Sequence, residues 1–234
     1  MRKLDFRIIL ACFAYQYQGN FEKIYQAIYT KELPDMKIIK QVEKMLREQQ
    51  VKICCITDAD YPKQLQTITN PPMVFFYEGD LKLVTKQPLL IIGDGTISKN
   101  QLKNLKNQVI VSVDQPEHDQ AWLKDLALQK NSLIKISNQP IEVVNHQADL
   151  VISFLSNQLG EIKLNRRAQN SNEKQNYNLA LGLSAGGYAY FGMLKKALKD
   201  YLKMLQSQQD KSAIKIEDWK PYVKDGAQKK QILN

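Results

Sequence analysis

The chain has 234 residues, of which 44% are hydrophobic and 24% charged, and its formal net charge is +9. This length and apolar content exclude a disordered chain and fit one large globular domain or two small ones. The positive charge is uneven, because residues 161–234 hold 14 Lys and Arg against 7 Asp and Glu. Such a balance favours a polyanionic partner, although solvated lysines in a Lys-, Gln- and Asn-rich chain are an equal alternative.

The three cysteines, Cys12, Cys54 and Cys55, have neither a disulfide nor a zinc spacing, so we expect buried, reduced thiols. Near the N-terminus, basic residues precede the apolar run IILACFAY, as in a signal peptide. Asp5 interrupts the basic region, however, and no small-residue cleavage site follows. The run is also too short to cross a bilayer. We therefore expect a cytoplasmic protein without a membrane segment.

Residues 4–50 show three apolar stripes at helical spacing, separated at Gly19-Asn20 and at Leu33-Pro34-Asp35. They predict a small module of three helices. From Val51 onward the pattern changes to short apolar runs, each typical of a strand. These runs are VKICCI, MVFFY, PLLIIG, QVIVSV, SLIKIS, DLVISFL, GYAYFG and SAIKI.

Helical patterns separate several of the strands, at residues 98–107, 118–129 and 193–206. Strands that alternate with helices predict an α/β fold, a Rossmann-like, mostly parallel sheet flanked by helices. Residues 163–178 are polar and rich in Asn and Gln, and they predict a mobile loop. We expect a helical module at residues 1–50, the α/β domain at 51–216 and a short C-terminal segment at 217–234.

The most informative segment is ITDADYPKQLQTITNPPMVFFYEGDL, residues 56–81. Its order of Asp58, Tyr61, Pro62 and Leu65, then a Pro-containing turn, a strand and Gly79-Asp80-Leu81 resembles the entry segment of the DprA/Smf DNA-processing family. The resemblance implies a Rossmann-like fold that holds single-stranded DNA and passes it to a RecA-type recombinase. It also implies a homodimer that performs no bond chemistry, needs no cofactor and acts in natural transformation and DNA recombination.

The resemblance is weaker downstream, where the phosphate-facing motifs are eroded. Gly93 and Ser98 match the family's first strand-to-helix turn, but Gly95 stands at the arginine and Gln101 at a later glycine. Ser112 and Asp119 remain from the next motif, and Gly182, Leu183 and Ser184 from a third. In that third motif Asn176 and Asn178 stand where the family has arginines. The segment from Tyr222 to Ala227 resembles a last motif. The loss of these glycines and arginines should weaken phosphate binding at these motifs.

A divergent family member would therefore bind DNA through other cations and through flat side chains that stack on bases. Tyr177, Tyr188 and Tyr190 could stack on bases, but core strand positions are the favoured interpretation of Tyr188 and Tyr190. Lys106, Lys199 and Lys203 extend the cationic set as helix-face lysines. The candidate nucleic-acid-binding residues are Gly93, Ser98, Lys99, Lys103, Arg166, Arg167, Lys174, Asn178, Lys195 and Lys196.

Catalytic and metal-binding patterns are absent from the sequence. His118 and His146 stand apart from any metal-like cluster, and Gly93-Asp94-Gly95 lacks the third glycine of a dinucleotide fingerprint. Asp114, Glu117 and Asp119 follow a strand but read best as a hydrated loop. Ala185-Gly186-Gly187 lacks the glutamate of a nucleotide phosphoribohydrolase loop. We expect a binding protein and not an enzyme; the alternative is a paralogue that keeps the scaffold for protein interactions and has lost DNA binding.

Overall fold

The structure, a computed structural model, describes most of the chain. The described residues are 5–48, 51–93, 97–114, 122–129, 131–137, 139, 148–154, 166–184, 187–191, 195–209 and 212–215. Within them no helix is both long enough and apolar enough to span a lipid bilayer.

The predicted N-terminal helices are present as α1 (Phe6–Gln16), α2 (Phe21–Tyr29) and α3 (Met36–Arg47). Each begins at a residue whose side-chain oxygen accepts a bond from a first-turn N–H group, which stabilises a helix start. These capping residues are Asp5, Asn20 and Asp35. The breaks seen in the sequence therefore coincide with two of the helix starts.

All eight predicted strands form one sheet, in the order β1-β2-β6-β5-β4-β3-β7-β8. The strands are β1 (Lys52–Cys55), β2 (Val74–Gly79), β3 (Leu89–Gly93), β4 (Val109–Val113), β5 (Ser132–Ser137), β6 (Leu150–Ser153), β7 (Gly187–Phe191) and β8 (Ser212–Lys215). The five pairings from β6 to β8 are parallel, which confirms the predicted mostly parallel sheet. Strand β2 pairs antiparallel with both β1 and β6, a feature that the sequence pattern does not encode.

Helices cover both faces of the sheet, as predicted. One face packs against α6 (Arg166–Leu183) and α7 (Lys196–Gln209). The opposite face packs against α4 (Lys99–Asn104) and α5 (Trp122–Leu128) over its centre, and against α1 and α3 at the β1-β2 end. The three cysteines are buried and free, which confirms their predicted state.

Three residues of the segment between β1 and β2, Asp58, Tyr61 and Leu65, have structural roles. The Asp58 carboxylate accepts a bond from the Cys55 N–H at 2.9 Å and lies 3.3 Å from the Arg7 guanidinium of α1. The Tyr61 hydroxyl, buried, donates to the Pro72 carbonyl at 2.8 Å. Leu65, in a 3-10 turn at Lys63–Thr67, is fully buried. In the segment that most resembles the family, these three side chains therefore make contacts inside the protein and support the fold.

Candidate nucleic-acid interface

The topology brings the starts of four helices to one edge of the sheet. In a parallel β-α-β unit each helix begins where the preceding strand ends, so α4, α5, α6 and α7 all start at the carboxyl edge. Strands β3 and β7 are neighbours there, and the strand order reverses between them. Open α/β sheets bind ligands at such a switch point. The predicted residues that this topology gathers at the edge are Gly93, Ser98, Lys99, Arg166, Arg167, Lys195 and Lys196.

Gly93, the last residue of β3, has a packing role that sequence reasoning missed. A Cβ at this position would lie 2.0 Å from Cε1 of Phe191, its partner on β7. The Phe191 ring is buried and meets Trp122 of α5 edge-on, with ring centroids 5.5 Å apart. The absent side chain therefore makes room for an aromatic ring. Asp94 and Gly95, which follow Gly93, lie outside the described residues.

Ser98 uses its polar groups to cap α4. Its Oγ accepts a bond from the Gln101 N–H at 3.3 Å, and the Gln101 side chain accepts from the Ser98 N–H at 2.8 Å. This capping box satisfies two backbone N–H groups at the start of α4 with side chains of the chain itself. Lys103 is exposed in the last turn of α4, as is Lys106 beyond it. For Lys99 the structure describes the backbone but not the side chain.

The predicted mobile loop at residues 163–178 is wrong, because α6 begins at Arg166. Its second half, from Tyr177 to Leu183, is almost entirely buried against the sheet. This packing fixes the helix and carries the polar first half with it, since tertiary contacts override weak local propensity. Arg166 and Arg167 form the first turn, and their side chains are not described.

Asn176 and Asn178, at the positions of the family's arginines, hold α6 in place. Asn176 is fully buried and donates to the Ser137 carbonyl of β5 at 3.3 Å. Asn178 donates to the Thr69 carbonyl at 2.9 Å and accepts from the Gln209 side chain at 2.6 Å. The amide of Asn178, a candidate binding residue, thus connects α6 to α7 and to the turn before β2.

Tyr177 and Tyr188 are buried in the core and cannot stack on bases, which confirms the core interpretation of Tyr188. Tyr190 is half-buried. A ring that the sequence did not single out for stacking, Tyr201 of α7, lies beside the predicted Lys174. The Lys174 Nζ is 5.8 Å from the Tyr201 ring centroid, and the Tyr201 hydroxyl donates to the Lys174 carbonyl at 2.9 Å. Burial raises the pKa of Tyr201 to about 12.

A cationic surface therefore extends along α7 and onto α6. Its members are the exposed lysines of α7 that lie away from the buried Leu202 and Leu205, the exposed lysine that directly precedes α7, and Lys174 of α6. They are Lys174, Lys195, Lys196, Lys199 and Lys203. We call these five residues the α6–α7 lysine surface.

Acidic groups near the carboxyl edge are engaged in the structure. The Asp114 carboxylate accepts a bond from the Ser137 hydroxyl at 2.7 Å and lies 3.0 Å from the Lys135 Nζ. Glu117, Asp119, His118 and His146 lie outside the described residues, as do 185–186 and 222–227. Among the described residues, Cys54, Asp58 and Asp60 lie close enough to hold a cation, but the Arg7 guanidinium already balances Asp58.

Comparison with known proteins agrees with the fold and with the sequence motif. Residues 52–115 match the family described as DNA recombination-mediator protein A. Protein Smf of Borreliella burgdorferi is 25% identical over 95 residues, which are 41% of this chain and 30% of that protein. The match to this relative thus spans about a third of its length.

Two solved structures share the fold at 15% sequence identity. DNA processing protein A from Streptococcus pneumoniae superposes with a TM-score of 0.59, covering 91% of this chain and 86% of that one. DNA processing protein A from Helicobacter pylori, described with a single-stranded DNA binding mode, superposes with a TM-score of 0.50 over 69% of this chain and 79% of that one.

Proposed function

We propose that this chain, a member of the DprA/Smf family, is a recombination-mediator protein that binds single-stranded DNA along the α6–α7 lysine surface and the adjoining carboxyl edge. The observation that carries the proposal is the convergence of five exposed lysines on one side of the sheet, next to the start of α6 with Arg166 and Arg167. The family match over residues 52–115 and the fold shared with a single-stranded DNA binding relative support it.

In this proposal the protein contacts the sugar-phosphate backbone of the single-stranded DNA. Lysine is a flexible point charge, so the surface neutralises phosphates without reading base sequence. At the β3-β7 switch point, Gly93 accommodates Phe191 and Ser98 caps α4, so the phosphate contacts move from the family's turn to the α6–α7 side. This displacement accounts for the loss of the family's glycine and arginine motifs.

In the cell, the protein acts in the cytoplasm in DNA uptake and recombination, as a homodimer that assists loading of a RecA-type recombinase and catalyses no reaction. Incubation with nucleoside monophosphates should release no free base. The recombinase partner is tested by a pull-down with and without single-stranded DNA. The dimer is tested separately by light scattering at rising protein concentration.

The DNA-binding test is a titration of a labelled dT oligonucleotide at several salt concentrations. The Lys196→Ala/Lys199→Ala variant should weaken binding and lower the salt slope by up to about two units if both lysines contact phosphates. Lys37→Ala/Lys40→Ala is the matched control, because it removes the same charge from exposed positions on α3, across the sheet from α7. Equal salt slopes for the two variants would reject the assigned surface.

A second pair tests the start of α6. Arg166→Ala/Arg167→Ala should also lower the slope by up to about two units. Wild-type affinity for the oligonucleotide no better than that of a neutral control protein at low salt would reject DNA binding altogether.

The second candidate function is a protein-interaction scaffold without DNA binding. The roles of Asn176 and Asn178 favour it, since both amides tie elements together where the family has charges. Capture of a recombinase by the wild-type chain in the absence of DNA, alongside a failed oligonucleotide titration, would select this function over the first.

A further inference from the structure

A cavity of about 230 Å³ opens between the N-terminal helices and the α6-α7 pair. Its walls come from the turn between α1 and α2, the segment before β2, α6 and the Tyr201 ring of α7. The residues that decide its chemistry are Phe21, Glu22, Asn70, Met73, Lys174 and Tyr201. One apolar wall, Phe154, directly follows β6 at the carboxyl edge, and Lys174 is shared with the α6–α7 lysine surface.

The walls of the cavity are fixed by contacts between the two layers. Gly19, at φ 72°, lies so close to Phe154 that a Cβ would be 2.6 Å from the Phe154 Cβ. In the orientation that satisfies both neighbours, the Gln175 amide donates to the Gly19 carbonyl at 3.0 Å and accepts from the Phe21 N–H at 2.8 Å. The shape therefore exists before any ligand enters, which lowers the entropic cost of binding.

The lining selects a small, flat and uncharged group. Phe21 and Tyr201 supply aromatic rings and Met73 a flexible apolar wall, while Asn70 is exposed and offers an amide. Lys174 and Glu22 carry opposite charges, so the cavity does not select an anion. Its volume lies below that of pockets for drug-sized ligands and leaves too little room for a dinucleotide.

We propose that this cavity receives one base of a DNA strand whose phosphates lie on the α6–α7 lysine surface. The inference rests on the proposed function, and it adds a base-stacking position to a surface that otherwise contacts only the backbone. Single-strand binding proteins combine a cationic groove with aromatic rings in this way, because every base offers a flat face. Lys174 joins the two parts, since its ammonium group lies at the cavity and belongs to the lysine surface.

The test is the Phe21→Leu variant, which keeps an apolar side chain but removes the ring. It should bind a dT oligonucleotide about fivefold or more weakly than wild type, within the range of one lost stacking contact. Its salt slope should be unchanged, because no phosphate contact is removed. Tyr29→Leu is the matched control, an exposed aromatic two turns along the same helix that does not line the cavity.

A second pair of variants and an abasic strand make the test specific. Tyr201→Leu should weaken binding as Phe21→Leu does, whereas Tyr201→Phe should bind like wild type because it keeps the ring. An abasic strand of equal length should bind wild type and Phe21→Leu equally. Wild-type affinity of Phe21→Leu for the dT strand, or an equal loss on the abasic strand, would overturn the proposal and leave the lysine surface standing.

Failure of the proposed function itself would be recognised separately. If the wild-type chain does not bind the strand, thymidine is titrated up to its solubility limit and the Phe21 and Lys174 resonances are followed by NMR. Shifts at both residues would support the cavity as a base site, and their absence would overturn it.

Discussion

Replacing Gly93 by alanine should destabilise the fold, even though the backbone there is an ordinary strand. The new methyl group would lie 2.0 to 2.4 Å from three atoms of the Phe191 ring. The ring is buried against Trp122, so it must move or strain its surroundings. Overpacking of this kind costs about 2 kcal/mol, and the disturbed edge-on ring pair costs about 1 kcal/mol. Alanine also lowers the conformational entropy of the unfolded chain, which offsets about 0.7 kcal/mol of this loss in stability.

The expected net loss is about 2 kcal/mol of unfolding free energy. Urea unfolding followed by far-UV circular dichroism should show a midpoint lowered by about 1 M, for a denaturant dependence of about 2 kcal/mol per M. In a Phe191→Leu background the same substitution should cost less, because the ring that collides is gone. An identical cost in both backgrounds would refute the packing argument. Unchanged stability with lost DNA affinity would instead assign Gly93 to close phosphate approach.

Three further outcomes follow from contacts described above. Asp114→Ala should lower the unfolding free energy by about 2 kcal/mol, because Lys135 loses its charge partner in a largely buried site; Asp114→Asn should lose less. Ser98→Ala should cost about 1 kcal/mol through the lost cap, measured by thermal unfolding. Burial raises the pKa of Cys12 and Cys55 from 9.0 to about 12 in the folded chain. As the pH rises, these thiols therefore lose their protons in the unfolded chain before they do so in the folded chain. The unfolding free energy should therefore fall above about pH 9, by about 1.4 kcal/mol per pH unit for each thiol, and Cys12→Ala should reduce that slope.

The strands could be predicted because each is a compact apolar run bounded by polar residues or glycine. The alternation of strands and helices also predicted the parallel pairings, but the antiparallel direction of β2 could not be predicted, since its apolar run reads the same in either direction. The antiparallel placement of β2 between β1 and β6 is decided by chain connectivity. Helix α6 was missed because its first half has no apolar period. It becomes helical through the packing of residues 177–183.

In the candidate site, the exposure of the lysines could be predicted from the sequence better than the roles of the aromatic residues. Lysines on a patterned helix are exposed for the same reason that its leucines are buried, so Lys196 and Lys199 could be placed from the sequence. Aromatic residues fit both a core and a binding surface, and burial decides between the two roles. Tyr177 and Tyr188 lie in the core, whereas Tyr201 belongs to the apolar stripe of α7 and still lines a cavity.

The first three helices cannot be treated as a removable appendage. Beneath α1 and α3, the β1-β2 end of the sheet presents Ile53, Cys55, Val74, Phe76 and Val151, all of them buried. A fragment that starts at β1 would expose this hydrophobic surface to water and would be prone to aggregation. Any minimal version of the protein made for crystallisation or for solution work must therefore retain residues 5–48, whether or not they touch DNA.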